Sequence, residues 1–189
     1  MVTEQKLDGK HVAFLFTDGV EQTELIAPLA AARAAGADTA LVSLEQGPVQ
    51  MFNHLDKAET IDAALAVKDT EAASFDALVL PGGVANPDAL RRDPDAVRFI
   101  GGFFEDNKPV GAICHAPWTL VEADVLHGRT LTSWPSLKTD IENAGGHWVD
   151  ENVHVDGGLI SSRKPDDLPA FCSTILESFA QEPAHVGHA

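Results

Sequence analysis

The chain has 189 residues, 44% apolar and 22% charged, which is enough for a core that needs no disulfide or metal to hold it. Its 13 Lys and Arg against 29 Asp and Glu leave a net charge of −16, which excludes nucleic acid and anionic lipid as partners, because an acidic surface repels both. The most apolar stretch, Leu25 to Ala35, is interrupted by Pro28 and Arg33, so no membrane span is expected, and residues 1–6 lack the order of a secretory signal; a cytoplasmic location is expected.

Along the chain, short apolar runs alternate with Ala-rich amphipathic segments, the pattern of an α/β fold with a mostly parallel sheet. Lys10 to Phe16 reads as a buried first strand ending in the turn Thr17-Asp18-Gly19. Glu24 to Ala35 reads as a helix that stops at Gly36. Thr39 to Leu44 is a second strand, and the stretch from there to Ala73 has no regular pattern. Asp76 to Leu80 is a third strand that breaks at Pro81-Gly82-Gly83, and Asp95 to Asn107 carries Val97, Ile100, Phe103 and Phe104 at helical spacing. Lys108 to Ile113 is the next strand and runs straight into Cys114. Helical patterns follow at His115 to Ala123 and Ser136 to Ala144. Val153 to Ser161 reads as a hairpin around Asp156-Gly157-Gly158, and Asp167 to Phe179 as a last helix. One unit over 8–180 is expected, with flexible tails at 1–7 and 181–189.

Two cysteines, Cys114 and Cys172, have neither the number of a disulfide scaffold nor the spacing of a zinc site, so free thiols and no metal or other cofactor are expected. Cys172 lies between Phe171 and Ile175 and reads as a core residue. Cys114 is different. In Ala112-Ile113-Cys114-His115-Ala116-Pro117 a strand meets a helix with no loop between, which demands a sharp turn flanked by small residues. That is the steric logic of a nucleophile elbow, with cysteine as the nucleophile. Such a turn lifts the sulfur to the carboxyl edge of the sheet and to a helix N-terminus, where a thiol more acidic than free cysteine is expected. The same residues also read as a small buried cysteine filling core space.

Two further pieces bear on this position. Gly82 and Gly83 let the backbone approach a ligand, and the amides of Gly83 and His115 can form an oxyanion hole beside the sulfur; the pair also reads as an ordinary tight turn. Glu24, in Glu21-Gln22-Thr23-Glu24, can share a proton with the thiol if its strand lies near the elbow strand. It can equally serve only the dipole of its own helix. His115 adjoins Cys114 in sequence, which by itself does not bring its ring to the sulfur. His147 and His154 suggest a metal only weakly, and they read as exposed or edge-strand residues.

Together these pieces resemble the PfpI-like intracellular peptidase family, in the superfamily of the Parkinson-disease-linked deglycase. The resemblance runs from about residue 10 to 180, through Gly19 to Leu25, Asp76 to Gly83 and Ala112 to Pro117, then through Thr132 to Lys138, Asn143 to Asp150 and Ser161 to Pro169. It implies a flavodoxin-like three-layer α/β sandwich and a homodimer or higher oligomer. It implies Cys114 as nucleophile, His115 as base and Glu24 as the carboxylate bonded to the cysteine, with Gly82 and Trp134 lining the site. In peptidase-like members an acidic residue soon after Pro-Gly-Gly completes a triad across a subunit interface, and Asp88 falls there. The implied substrates are a small reactive aldehyde, a glycated protein or a peptide. The alternative is a redox sensor or holdase chaperone in which Cys114 is oxidised without turnover. A glutamine amidotransferase is excluded by the lack of any His-x-Glu pair after Cys114.

Overall fold

The structure is a computed structural model that describes residues 7–181. Its strands in chain order are β1 (His11–Leu15), β2 (Val20–Glu21), β3 (Asp38–Ser43), β4 (Gly47–Asn53), β5 (Asp56–Ala63) and β6 (Leu65–Ala66), followed by β7 (Ala77–Leu80), β8 (Val110–Ile113), β9 (Thr130–Leu131), β10 (His147–Trp148), β11 (Val153–Asp156) and β12 (Leu159–Ser162). The helices are α1 (Gln22–Ala34), α2 (Ala85–Leu90), α3 (Pro94–Glu105), α4 (Pro117–Glu122), α5 (Lys138–Asn143) and α6 (Leu168–Phe179).

Among the described residues, seven strands form the central sheet in the order β11-β12-β8-β7-β1-β3-β6. All its pairings are parallel except the edge hairpin β11–β12. The run β3-β1-β7-β8-β12 has the 2-1-3-4-5 order of flavodoxin-like sheets, which bind ligands outside the carboxyl ends of the strands where the order turns back. Here that point lies between β1 and β7.

Successive strand residues face opposite sides, and this builds the layers. Val12 and Phe14 pack with Leu25 and Leu29 of α1 and with Phe171 and Ile175 of α6. Ala13 and Leu15 pack on the other side, with Phe99, Ile100 and Phe103 of α3 and Leu120 of α4. Both faces are covered, so the central strands read as unbroken apolar runs, as a buried parallel sheet requires. At Gly111 of β8 a Cβ would meet Cγ2 of Ile175 at 2.8 Å, so the absence of a side chain lets α6 lie close. The result is the expected three-layer α/β sandwich.

Some local expectations are corrected. The unassigned stretch after Leu44 forms the hairpin β4–β5, which joins β2 in a separate three-stranded sheet. Asn53 pairs with Asp56 across a two-residue turn, with His54 left-handed at φ 57°, and no Asn-Gly or Asp-Gly signals it. The segment Asn86-Pro87-Asp88, given no element by its pattern, belongs to helix α2. Leu7, assigned to the N-terminal tail, is fully buried and its amide donates to the Ala35 carbonyl at 2.6 Å. Gln181 is exposed, and the remaining tail residues, 1–6 and 182–189, lie outside the described residues. No helix among the described residues is long and apolar enough to cross a membrane.

Candidate active site

Strand β8 ends at Ile113 and α4 begins at Pro117, so Cys114 must reverse the chain almost at once. It does so at φ 64°, a left-handed conformation that costs a residue with a β-carbon about 1–2 kcal/mol. Bonds on both sides hold the strain. The Cys114 amide donates to the Ser162 carbonyl on β12 (3.0 Å), and the Cys114 carbonyl accepts from the Trp134 amide (2.9 Å). Ala112 and Ala116, two residues to either side, are buried, which leaves no room for larger flanks.

Between β8 and β1 stands β7, so the strand leading to α1 and the elbow strand are not adjacent. What joins Glu24 to Cys114 is the turn after β7. A Cβ on Gly82 would overlap Glu24 Oε2 and fall 2.6 Å from the Cys114 Cβ. Glycine therefore lets the two side chains approach, and the Gly82 amide donates to Glu24 Oε2 at 3.0 Å. Gly83, at φ 83°, fits against the first loop, where a Cβ would overlap the Gly19 carbonyl oxygen and lie 2.9 Å from the Glu21 nitrogen. Buried Asn86 of α2 ties this corner together. Its Oδ1 accepts from the Thr17 amide at 2.7 Å, and its Nδ2 donates to the carbonyls of Pro81 and Gly82 at 3.0 and 2.9 Å.

Glu24 is fully buried, and burial pushes its carboxyl up to about 8, with the nearby Glu21 adding; the Cys114 thiol and the amides of Gly82 and Gly83 oppose the rise. At pH 7 the carboxyl therefore holds its proton. Its Oε1 has no partner in hydrogen-bond geometry. Burial also pushes the Cys114 thiol up, and a charged Glu24 pushes it further, while the Gly83 and His115 amides draw it down. The acidic thiol expected from the elbow is overturned: α4 has only six residues and starts at Pro117, and burial and the neighbouring Glu24 raise the thiol. The free site holds a thiol beside a protonated carboxyl.

His115 supplies what the thiol lacks. Its Nδ1 lies 3.1 Å from the Cys114 Sγ, so the adjacent ring does reach the sulfur. The ring stacks on Trp134 (centroids 5.6 Å apart, planes at 21°) and meets Trp118 at 5.4 Å. Burial lowers its pKa, which keeps the imidazole neutral at pH 7 and able to take a proton. Among the described residues no carboxylate hydrogen-bonds this ring.

A cavity of about 250 Å³ opens over the sulfur, with Gly83 and His115 at its base and Trp134 on its wall. Asp88 does not line it; the side chain is exposed on α2. Sequence reasoning missed Glu21, His54, Leu55, Val84 and Pro165 in the lining. Glu21 Oε2 accepts from the His54 amide at 2.9 Å, a contact between elements far apart in sequence that no local pattern reveals. Asn86 could have been found only as the polar residue of a short apolar-flanked segment. Of the weak candidates, His147 is exposed on β10 and His154 Nδ1 lies 2.8 Å from Glu151 Oε2; Cys172 is half-buried on α6, where burial pushes its thiol up to about 11.

Residues 10–178 match the DJ-1/PfpI family. A deglycase of Thermococcus kodakarensis is 41% identical over 160 residues, covering 85% of this chain and 93% of its own length. General stress protein 18 of Bacillus subtilis is 40% identical over 164 residues, covering 86% and 94%. A crystal structure of a two-domain protein from Anabaena variabilis, with DJ-1/ThiJ/PfpI-like and ferritin-like domains, superposes with a TM-score of 0.86 at 33% identity. It covers 95% of this chain, which spans 52% of that one.

Proposed function

The chain belongs to the DJ-1/PfpI family, and from that premise we propose that it is a cysteine-dependent hydrolase of carbonyl substrates, working in the cytoplasm in a stress response. The observation that carries the reading is the Cys114 Sγ held 3.1 Å from a neutral His115 Nδ1, beside the amides of Gly83 and His115. The relatives named deglycase and general stress protein support it. Because the thiol holds its proton in the free site, His115 acts as general base: as Sγ bonds to the carbonyl carbon, the thiol proton passes to Nδ1. The carbonyl electron pair moves to oxygen, next to the two amides that already point at the sulfur. Collapse expels an amine, which takes the proton from His115, and water releases the acyl group from sulfur. A reactive aldehyde is attacked in the same way and gives a hemithioacetal.

The substrate class is a small reactive aldehyde, a glycated protein or a peptide. Assays with methylglyoxal, glycated lysine and peptides, run on the wild type and on Cys114→Ala, test this. Turnover in at least one assay that vanishes in the variant supports the reading; equal turnover by the variant in all of them removes it. Asp88 is exposed on α2, so its part in a triad requires a second copy of the chain presenting it to His115. Gel filtration of the wild type and a kinetic comparison with Asp88→Asn test that addition; a monomer with full activity eliminates it.

One observation favours a second reading, a redox sensor or holdase. Glu24 is protonated next to the sulfur and its Oε1 is unpartnered, so the carboxyl is placed to bond an oxygen added to Cys114. Intact mass after mild peroxide distinguishes the two. Selective single oxygenation of Cys114 that is lost in Glu24→Gln, with no substrate turned over, favours sensing; slow, unselective oxidation rejects it.

A further inference from the structure

The cavity over Cys114 has two unlike ends. Its base is polar, made of the thiol, the His115 ring and the Glu24 carboxyl. Its mouth is largely apolar and open to solvent, with Leu55 90% exposed, Val84 55% and Trp134 38%, beside the exposed His54. Five large apolar side chains are exposed among the described residues, and three of them ring this one opening. Single exposed apolar residues are ordinary, whereas several gathered on one cavity mark a surface that meets an apolar partner.

Leu55, the most exposed of the three, is held in place by the site itself. It occupies the two-residue turn of β4–β5, where His54 is left-handed and its amide donates to buried Glu21 at 2.9 Å. The Glu21 backbone amide in turn donates to the Gly82 carbonyl at 3.4 Å. One residue thus joins the hairpin tip to the turn that separates Glu24 from Cys114.

We infer that Leu55, Val84 and Trp134 form an apolar collar that selects electrophilic carbonyl substrates carrying an aryl or branched alkyl body over the same electrophile on a small one, with Glu21 the positioning residue that holds the hairpin tip over the sulfur. The inference rests on Cys114 being the nucleophile. It names the body of the substrate, where the preceding reading names only its reacting group. Burying one ring against such a collar is worth about tenfold in rate.

The test uses the full chain and two alkylating probes, iodoacetamide and its N-phenyl form iodoacetanilide, with rates at Cys114 read by peptide mass and divided by those of N-acetylcysteine. The wild type should prefer the aryl probe by about tenfold. Leu55→Ser should lower that ratio about three- to fivefold, and Glu21→Ala should do the same while Glu21→Gln, which keeps an acceptor for the His54 amide, restores most of it. If Glu21→Ala does not fold, the Leu55→Ser ratio still decides. A wild-type ratio equal to that of N-acetylcysteine, or one unmoved by Leu55→Ser, overturns the proposal. An unmoved ratio together with loss of an oligomer on gel filtration assigns the collar to contact between two copies and overturns it too. An intact ratio with no turnover of phenylglyoxal or methylglyoxal sinks the hydrolase reading alone.

Discussion

At the carboxyl edge of the central sheet, Cys114 sits in a turn whose amide and carbonyl are both bonded, between strands buried on both faces. At the hairpin tip on the other side of the cavity, His54 and Leu55 stand in solvent, and the bond from the His54 amide to Glu21 ties them to the site. The base of the site is thus set by the sheet and its rim by a two-residue turn. Chemistry that tolerates little displacement is placed where packing fixes it, while the surface that meets the varied part of a substrate is placed where sequence can change at little cost to the fold.

Substitutions should separate these two regions, with large effects at the base and small ones at the rim. Cys114→Ala should lower turnover by roughly a thousandfold or more and abolish iodoacetamide labelling at position 114, leaving only that at Cys172. His115→Gln should lower kcat/KM by about a hundredfold, and the acid limb of the wild-type rate profile should lie below the ordinary histidine value near 6.5, because burial lowers this imidazole. Gly82→Ala should destabilise the fold by about 2–3 kcal/mol in urea titrations, since its Cβ collides with Glu24 and Cys114. At the rim, Leu55→Ser should leave stability within about 0.5 kcal/mol and move only the choice between substrates.

Glu24 offers a finer test of the base through pH. Its folded carboxyl holds a proton to about pH 8, while the unfolded one gives it up near 4.5. The folded state therefore binds more protons in between, and stability falls as pH rises across that window. It is present in full below 4.5 and lost through about 8, by up to roughly 5 kcal/mol. Glu24→Gln should flatten the wild-type fall between pH 5 and pH 8.5, as read by urea midpoints. An equal fall in the variant would mean that the carboxyl is already ionised at neutral pH.

The elbow was legible because its cause is local. A strand running into a helix through Ile113-Cys114-His115 leaves few geometries, and small residues on both sides record the crowding. The parallel layers were legible for the same reason, since the apolar runs of β1, β7 and β8 are as long as the strands themselves. The β4–β5 hairpin was not, because its second strand opens on a mostly charged run (Asp56-Lys57-Ala58-Glu59) with no apolar alternation and its turn lacks a glycine. Helix α2 was hidden by its six-residue length and by Pro87. The thiol's protonation was misread because burial depends on what the rest of the chain stacks over Cys114, and a sequence window shows only the dipole beneath it.

Ser162 leaves the ribosome well after Cys114, and until β12 docks beside β8 its carbonyl is not there to hold the cysteine in its left-handed turn. A nascent chain, or one truncated before Leu159, carries an unremarkable sulfhydryl that should label at the rate of an unstructured peptide. The sulfur placed beside His115 and the two amides exists only once that parallel strand is seated, so a copy without it carries an ordinary thiol and no catalytic site.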